Sequence, residues 1–188
     1  MLRKVVFLDR DGVINEDSAD YVKSWAEFHF IPGSLEALRR LRAHGFKTFL
    51  ITNQSAVDRR LMSRADLEYI HVKMGHAVES YGGRIEDIFF CAHLPEEECN
   101  CRKPKPGLIF EAQRRYGIKL PAAYLVGDSV KDIQCARNAG CGFAVLVRTG
   151  NGRNSEKMLV EKKLVDHVAD DLLDAVQWII YHDPQRRC

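Results

Sequence analysis

The sequence predicts a doubly wound α/β fold, a mainly parallel sheet with helices on both faces. Three observations point there. Short apolar runs alternate with helical patterns along the chain. The first run, Val5 to Leu8, reads as a strand buried on both sides. Polar clusters come directly after several runs, at the strand ends where open α/β sheets bind their ligands.

Each element has its own signal. Pro32, Gly33 and Ser34 open a helix whose face carries Leu35, Leu38 and Leu41, and Gly45 stops it. Phe46 to Ile51 is the second strand. Ser63 and Asp66 have the spacing of a capping box, and the helix behind them carries Leu67, Ile70, Met74, Val78 and Tyr81 up to Gly82 and Gly83. Ile88 to Phe90 reads as a short strand, Leu108 to Tyr116 as a helix, Ala123 to Val126 as a strand and Lys131 to Ala139 as a helix. Phe143 to Val147 closes the strand set. A last helix carries Leu172, Leu173, Val176, Ile179 and Ile180. Residues 1–181 are expected to form one domain and residues 182–188 a frayed tail, and 188 residues with 46% hydrophobic content are enough for such a core.

Charge and hydropathy narrow the roles to expect. Lys plus Arg number 28 and Asp plus Glu 26, so the net charge of +2 gives no nucleic-acid footprint. No apolar run approaches the roughly 20 residues that span a bilayer. The opening MLRKVVFLDRDG reaches charged residues too early for a signal peptide, so a cytoplasmic protein is expected. Of six cysteines, Cys91, Cys99 and Cys101 share one stretch; Cys135, Cys141 and Cys188 are scattered and read as small packed thiols.

The first strand runs straight into Asp9 and Asp11. Buried carboxylates without partners are costly, so the pair needs a reason. An EF-hand is excluded, because Val13 and Ile14 stand where that loop needs an acid or amide and then glycine; no phosphate-binding G-x-x-x-x-G-K-[ST] occurs either. The plainest alternative is a turn capped by the acids and freed by Gly12. Further strand ends decide against it. Thr52, Asn53, Gln54 and Ser55 come after the second strand, and Gly127 and Asp128 after a later one. Asp9, Asp11 and Asp128 make an all-oxygen set suited to Mg²⁺, Thr52 adds a hydroxyl, and Lys103 can add a cation. Phosphoryl transfer requires that combination.

DRDGV, TNQS, RKPKPG and GDSVKD, in that order, resemble the four motifs of the haloacid-dehalogenase-like phosphatases, from Val5 to about Gly150. The resemblance implies Asp9 as nucleophile and Asp11 as proton donor and acceptor, with its carbonyl also on Mg²⁺. It implies Thr52 and Lys103 at the transferring phosphoryl group and Asp128 on the metal. A carboxylate nucleophile splits hydrolysis into two easier steps, and a neighbouring acid serves both.

Cys91, His93, Cys99 and Cys101 form a C-x-H-x5-C-x-C array, the Cys₃His set of a structural zinc. Four protein ligands leave no open position, so this metal is expected to clamp the loop that presents Arg102 and Lys103, with Pro104 and Pro106 stiffening the chain beyond them. His29, His44, His71, His76, His167 and His182 are read as having no ligand role. Within the family, the zinc loop resembles a branch holding sugar-bisphosphate phosphatases and histidinol-phosphate phosphatases. TNQS, RKPKPG and VLVRTGNG favour the sugar bisphosphate, with histidinol phosphate as the alternative. By that resemblance Arg10, Arg102, Asn53, Gln54, Ser55 and the loop from Asp17 to Tyr21 contact a small sugar-phosphate substrate, in a chain expected to be monomeric. A zinc-loop docking module is disfavoured by Glu96, Glu97 and Glu98 in that loop.

Overall fold

A computed structural model describes residues 4–183. Six strands form one sheet: β1 (Val5–Leu8), β2 (Lys47–Asn53), β3 (Asp87–Cys91), β4 (Ala123–Gly127), β5 (Phe143–Val147) and β6 (His167–Ala169). All neighbouring pairs are parallel, in the order β3-β2-β1-β4-β5-β6. Six helices complete it: α1 (Ser34–Ala43), α2 (Arg64–Ser80), α3 (Gly107–Tyr116), α4 (Val130–Ala139), α5 (Gly152–Glu161) and α6 (Leu172–Tyr181).

Strand alternation builds two cores. Val6, Leu8, Leu50 and Val126 face α1, α2 and α6, where Leu38, Leu41, Leu67, Ile70, Val176 and Ile179 meet them. Val5, Phe7, Phe49 and Leu125 face the opposite way, onto Leu108, Ile109, Ile133 and Leu159 of α3, α4 and α5. Each such side chain contributes about 1.5–3 kcal/mol when fully buried, which is why the short strands are apolar on both faces. The Ser63 hydroxyl accepts from the Asp66 amide at 3.0 Å and the Asp66 carboxylate accepts from the Ser63 amide at 3.0 Å, closing the expected box at the start of α2.

The structure departs from the sequence reading in four places. β2 continues two residues past its apolar run, so Thr52 and Asn53 are strand residues. β3 ends on Cys91, which puts the first cysteine of the array on the sheet. β6 and α5 lie beyond the run expected to close the set; β6 has three residues, and α5 buries only Gly152, Ser155 and Leu159. His182 does not fray but stacks on Trp178, and Asp183 is buried and paired with Lys4 at 2.8 Å; residues 184–188 lie outside the described residues. Among the described residues no helix is long and apolar enough to cross a membrane.

Candidate active site

β1 and β4 are neighbours at the centre of the sheet, and the chain winds outward from them in opposite directions. Their carboxyl ends therefore open a crevice at the switch point of the fold. The register sets what meets there. Leu8 lies between Leu50 and Val126, and the Asp9 amide still donates to the Val126 carbonyl at 3.0 Å. A cleft of about 590 Å³ opens above, with Asp9, Asp11, Thr52, Lys103, Asp128 and Asp132 among the residues that line it.

Lys103 is buried at the cleft floor, its Nζ 2.8 Å from Asp9 Oδ1 and 2.6 Å from Asp132 Oδ1. Burial alone would push the lysine down, but Asp132 and Asp9 outweigh it and hold Lys103 above its ordinary range. The acids show the reverse balance. Burial pushes Asp9 up to about 7; Lys103 opposes this, while Asp132 and Asp11 add to it. Burial, then Asp132 and Asp9, push Asp128 up to about 8. One lysine does not neutralise three crowded carboxylates, two of them buried.

That deficit is the test of a metal site. Asp9, Asp128 and Asp132 each offer an oxygen within 4.8 Å of the others, an all-oxygen set that suits a hard dication. The surroundings are shaped to leave room for these oxygens. Gly12 and Gly150 have φ of +76° and +53°, and a Cβ on either would lie well inside van der Waals contact distance of Asp128 Oδ2. The Asn151 amide donates to the same oxygen at 2.8 Å. The residues fit Mg²⁺.

Asp11 lies beside this cluster and is held differently. Its carboxylate accepts from Arg10 Nη2 at 2.8 and 3.0 Å, from Arg10 Nε at 3.2 Å, and from Asn15 Nδ2 and Gln54 Nε2 at 2.8 Å each. Burial pushes Asp11 up, but Arg10, Asn15 and Gln54 bring it below the ordinary carboxylate range. Gln54 Nε2 also donates to Thr52 Oγ1 at 2.9 Å, tying the strand-two hydroxyl into the same net.

Near the end of β3, Cys91, His93, Cys99 and Cys101 close on one another. Their ligand atoms are 3.2 to 3.6 Å apart in the contacts they make. A tetrahedral zinc with bonds of about 2.0–2.3 Å spans edges of roughly 3.3–3.8 Å, so the set fits that ion. The loop is coupled to the cleft: Arg102 Nη1 donates to the His93 carbonyl at 3.0 Å, and the Lys103 backbone pairs with the Asn53 amide group at 3.1 and 3.3 Å.

Comparison with known proteins agrees with this geometry. Residues 100–175 match a family model described as HAD-hydrolase-like. A D-glycero-β-D-manno-heptose-1,7-bisphosphate 7-phosphatase from Bordetella bronchiseptica is 46% identical over 152 residues, 81% of this chain and 84% of the relative. The enzyme of that name from Neisseria meningitidis serogroup A is 40% identical over 94% of this chain and 95% of its own. The crystal structure of the B. bronchiseptica D,D-heptose 1,7-bisphosphate phosphatase complexed with magnesium and phosphate superposes with a TM-score of 0.88 at 42% identity, covering 95% of this chain and 98% of that one. The chain belongs to the haloacid-dehalogenase-like phosphatase family. It is a phosphoric monoester hydrolase of that family.

Most of the residues expected at this phosphatase site line the cleft: Asp9, Asp11, Thr52, Lys103 and Asp128 at its floor, and Asp17, Tyr21, Asn53, Gln54, Ser55 and Arg102 around it. Two of the outer residues also brace the floor, since Asn53 holds the Lys103 backbone and Gln54 holds Asp11. Arg10 is the correction. Expected at the substrate, it is wholly buried, does not line the cleft, and spends its guanidinium on Asp11 and on His71, one of the histidines read as having no role. The Asp11 side chain likewise stands outside the three-carboxylate cluster, whose third member is Asp132. Sequence reasoning misses Asp132, although GDSVKD contains it. Ser129 and Asp132 are spaced as a capping box, and Asp132 Oδ2 accepts from the Ser129 amide at 3.1 Å and from its hydroxyl at 2.6 Å. The other oxygen of the same carboxylate takes Lys103.

Proposed function

We propose that the chain hydrolyses the 7-phosphate of D-glycero-β-D-manno-heptose 1,7-bisphosphate, releasing inorganic phosphate and leaving the 1-phosphate on the sugar. The observation that carries the reading is the carboxylate of Asp9, 2.8 Å from a buried lysine at the cleft floor, in a chain 46% identical to an enzyme of that name.

The chemistry is a double displacement. An Asp9 oxygen attacks phosphorus, the bond from phosphorus to the sugar oxygen breaks, and Asp11 gives that oxygen a proton. A water then attacks phosphorus, Asp11 takes a proton back, and the bond to Asp9 breaks as phosphate leaves. Held below the ordinary carboxylate range, Asp11 enters the second step deprotonated and able to accept the proton of water. The proton for the first step can enter on the substrate, because a phosphate monoester has a second pKa of about 6. Lys103 stays cationic throughout and offsets charge on the transferring oxygens, with the Thr52 hydroxyl as a further donor. Mg²⁺, held by Asp9, Asp128, Asp132 and the Asp11 carbonyl, would supply electrophilic charge at the phosphoryl oxygens. Zinc on the Cys₃His set would keep the loop before Lys103 in one shape.

Arg102 is braced by its bond to the His93 carbonyl and keeps further N–H groups for the remote phosphate or the sugar. The reading extends to a monomer in the cytoplasm, where reducing conditions keep the zinc thiolates available. There the product would serve the making of nucleotide-activated heptose for lipopolysaccharide core or surface glycan.

Phosphorus NMR of the reaction with Mg²⁺ tests it directly. The 7-phosphate resonance is expected to convert to inorganic phosphate while the 1-phosphate resonance persists, with the β anomer and the bisphosphate preferred over the α anomer and over histidinol phosphate. Release of the 1-phosphate, or faster turnover of histidinol phosphate, would overturn it.

A further inference from the structure

We infer that Arg10 and His71 form a buried brace that fixes the Asp11 carboxylate in its working position, making both of them positioning residues for proton transfer. This rests on the reading of Asp11 as the proton donor and acceptor.

Arg10 is the largest fully buried side chain among the described residues, and a guanidinium is seldom buried without a specific partner. Its fork meets Asp11 side-on, with Nη2 at 2.8 Å from Oδ1 and 3.0 Å from Oδ2 and Nε at 3.2 Å from Oδ1. A carboxylate gripped at two oxygens by a planar fork cannot rotate freely. The other side of the guanidinium faces His71 of α2, Nη1 lying 3.4 Å from Nε2. His71 is buried as well, its ring edge-on to Phe90 of β3 at 5.8 Å. A neutral imidazole in that pocket accepts from Arg10, and burial with the neighbouring Arg10 cation keeps it neutral. The chain of contact therefore runs from a helix packed on the sheet, through His71 and Arg10, to the acid beside the nucleophile. Asn15 and Gln54 complete the grip from the other sides. Arg10 and His71 thus set Asp11 from outside the cleft. Proton transfer tolerates little misplacement, because the donor must lie within hydrogen-bond reach of the leaving oxygen.

The brace has a kinetic consequence that a merely structural role would not have. A sugar alkoxide leaves only when protonated, whereas p-nitrophenolate leaves without help. Loosening Asp11 must therefore slow the first displacement on the heptose bisphosphate far more than on p-nitrophenyl phosphate, while the second displacement is common to both.

The test compares kcat/KM, which reports the first displacement and not the shared hydrolysis of phospho-Asp9, on the two substrates for His71→Leu, which removes the acceptor, His71→Gln, which keeps one, and Arg10→Lys, which keeps the charge but not the fork. His71→Leu is expected to lose roughly 10–100-fold on the bisphosphate and less than about threefold on p-nitrophenyl phosphate. His71→Gln should recover most of that loss, and Arg10→Lys should show the same selectivity with a larger drop. Equal losses on both substrates, or no loss on either, would overturn the brace. Asp11→Asn run alongside separates the two levels: a selective loss there without one in the His71 and Arg10 variants rejects the brace alone. No selectivity in Asp11→Asn rejects the proton-transfer reading, and the brace with it.

Discussion

His71 is the histidine whose titration is most sharply altered. Burial, then the Arg10 cation, push it down to about 3 from an ordinary value near 6.5, against a smaller upward pull from Asp11. The unfolded chain therefore takes up a proton as pH falls below about 6.5, while the folded chain declines it until about 3. Stability must drop across that window, by about 2 kcal/mol at pH 5 relative to pH 8 from this group alone. Denaturant unfolding of His71→Gln should lose less stability than the parent between pH 8 and pH 5; parallel losses would show that His71 takes a proton in the folded state. The same residue shows what a sequence withholds. Asp9 and Asp11 were legible because acids at the end of an apolar strand demand a cause. His71 and Arg10 carry no such demand, since only the folded chain brings positions 10 and 71 together. Asp132 was hidden by a second job, because one of its oxygens really does cap α4 and only the other reaches Lys103.

At the scale of elements, tight approach matters more than pattern. Gly150 and Gly12 meet over Asp128 with positive φ, and any side chain at 150 would displace that carboxylate. Gly150→Ala is expected to weaken Mg²⁺ binding by at least roughly tenfold, as loss of a metal-orienting group does, with kcat/KM falling alongside and zinc content unchanged. Calorimetric titration with Mg²⁺ checks it, and parental affinity would show that Asp128 can shift at no cost. The zinc loop was legible from spacing alone, because four soft ligands within eleven residues have few other uses. Elemental analysis should find one zinc per chain, and its removal by a chelator should lower thermal stability and activity together, since Lys103 lies two residues beyond Cys101, the final ligand of the array. α5 and β6 were not legible. A helix that buries one large apolar residue and a strand of three residues leave little periodicity to read.

Across the whole molecule, topology does the assembling. The order β3-β2-β1-β4-β5-β6 puts the two central strands side by side though more than a hundred residues separate them, and so brings DRDGV and GDSVKD to one crevice. The sequence was sufficient for the layers and for the edge that carries the site, because alternating strands and helices allow few other arrangements. It could not show how the floor is shared among Lys103, three carboxylates and the separately braced Asp11. That division gives the nucleophile its lysine and leaves Asp11 free to move protons, which is the central claim. The stereochemical course at phosphorus tests it most directly. With a substrate made chiral at the transferred phosphorus by oxygen isotopes and sulfur, two successive displacements predict that the released thiophosphate retains configuration. Inversion would mean a single direct attack by water, and would contradict the assignment of Asp9 as nucleophile.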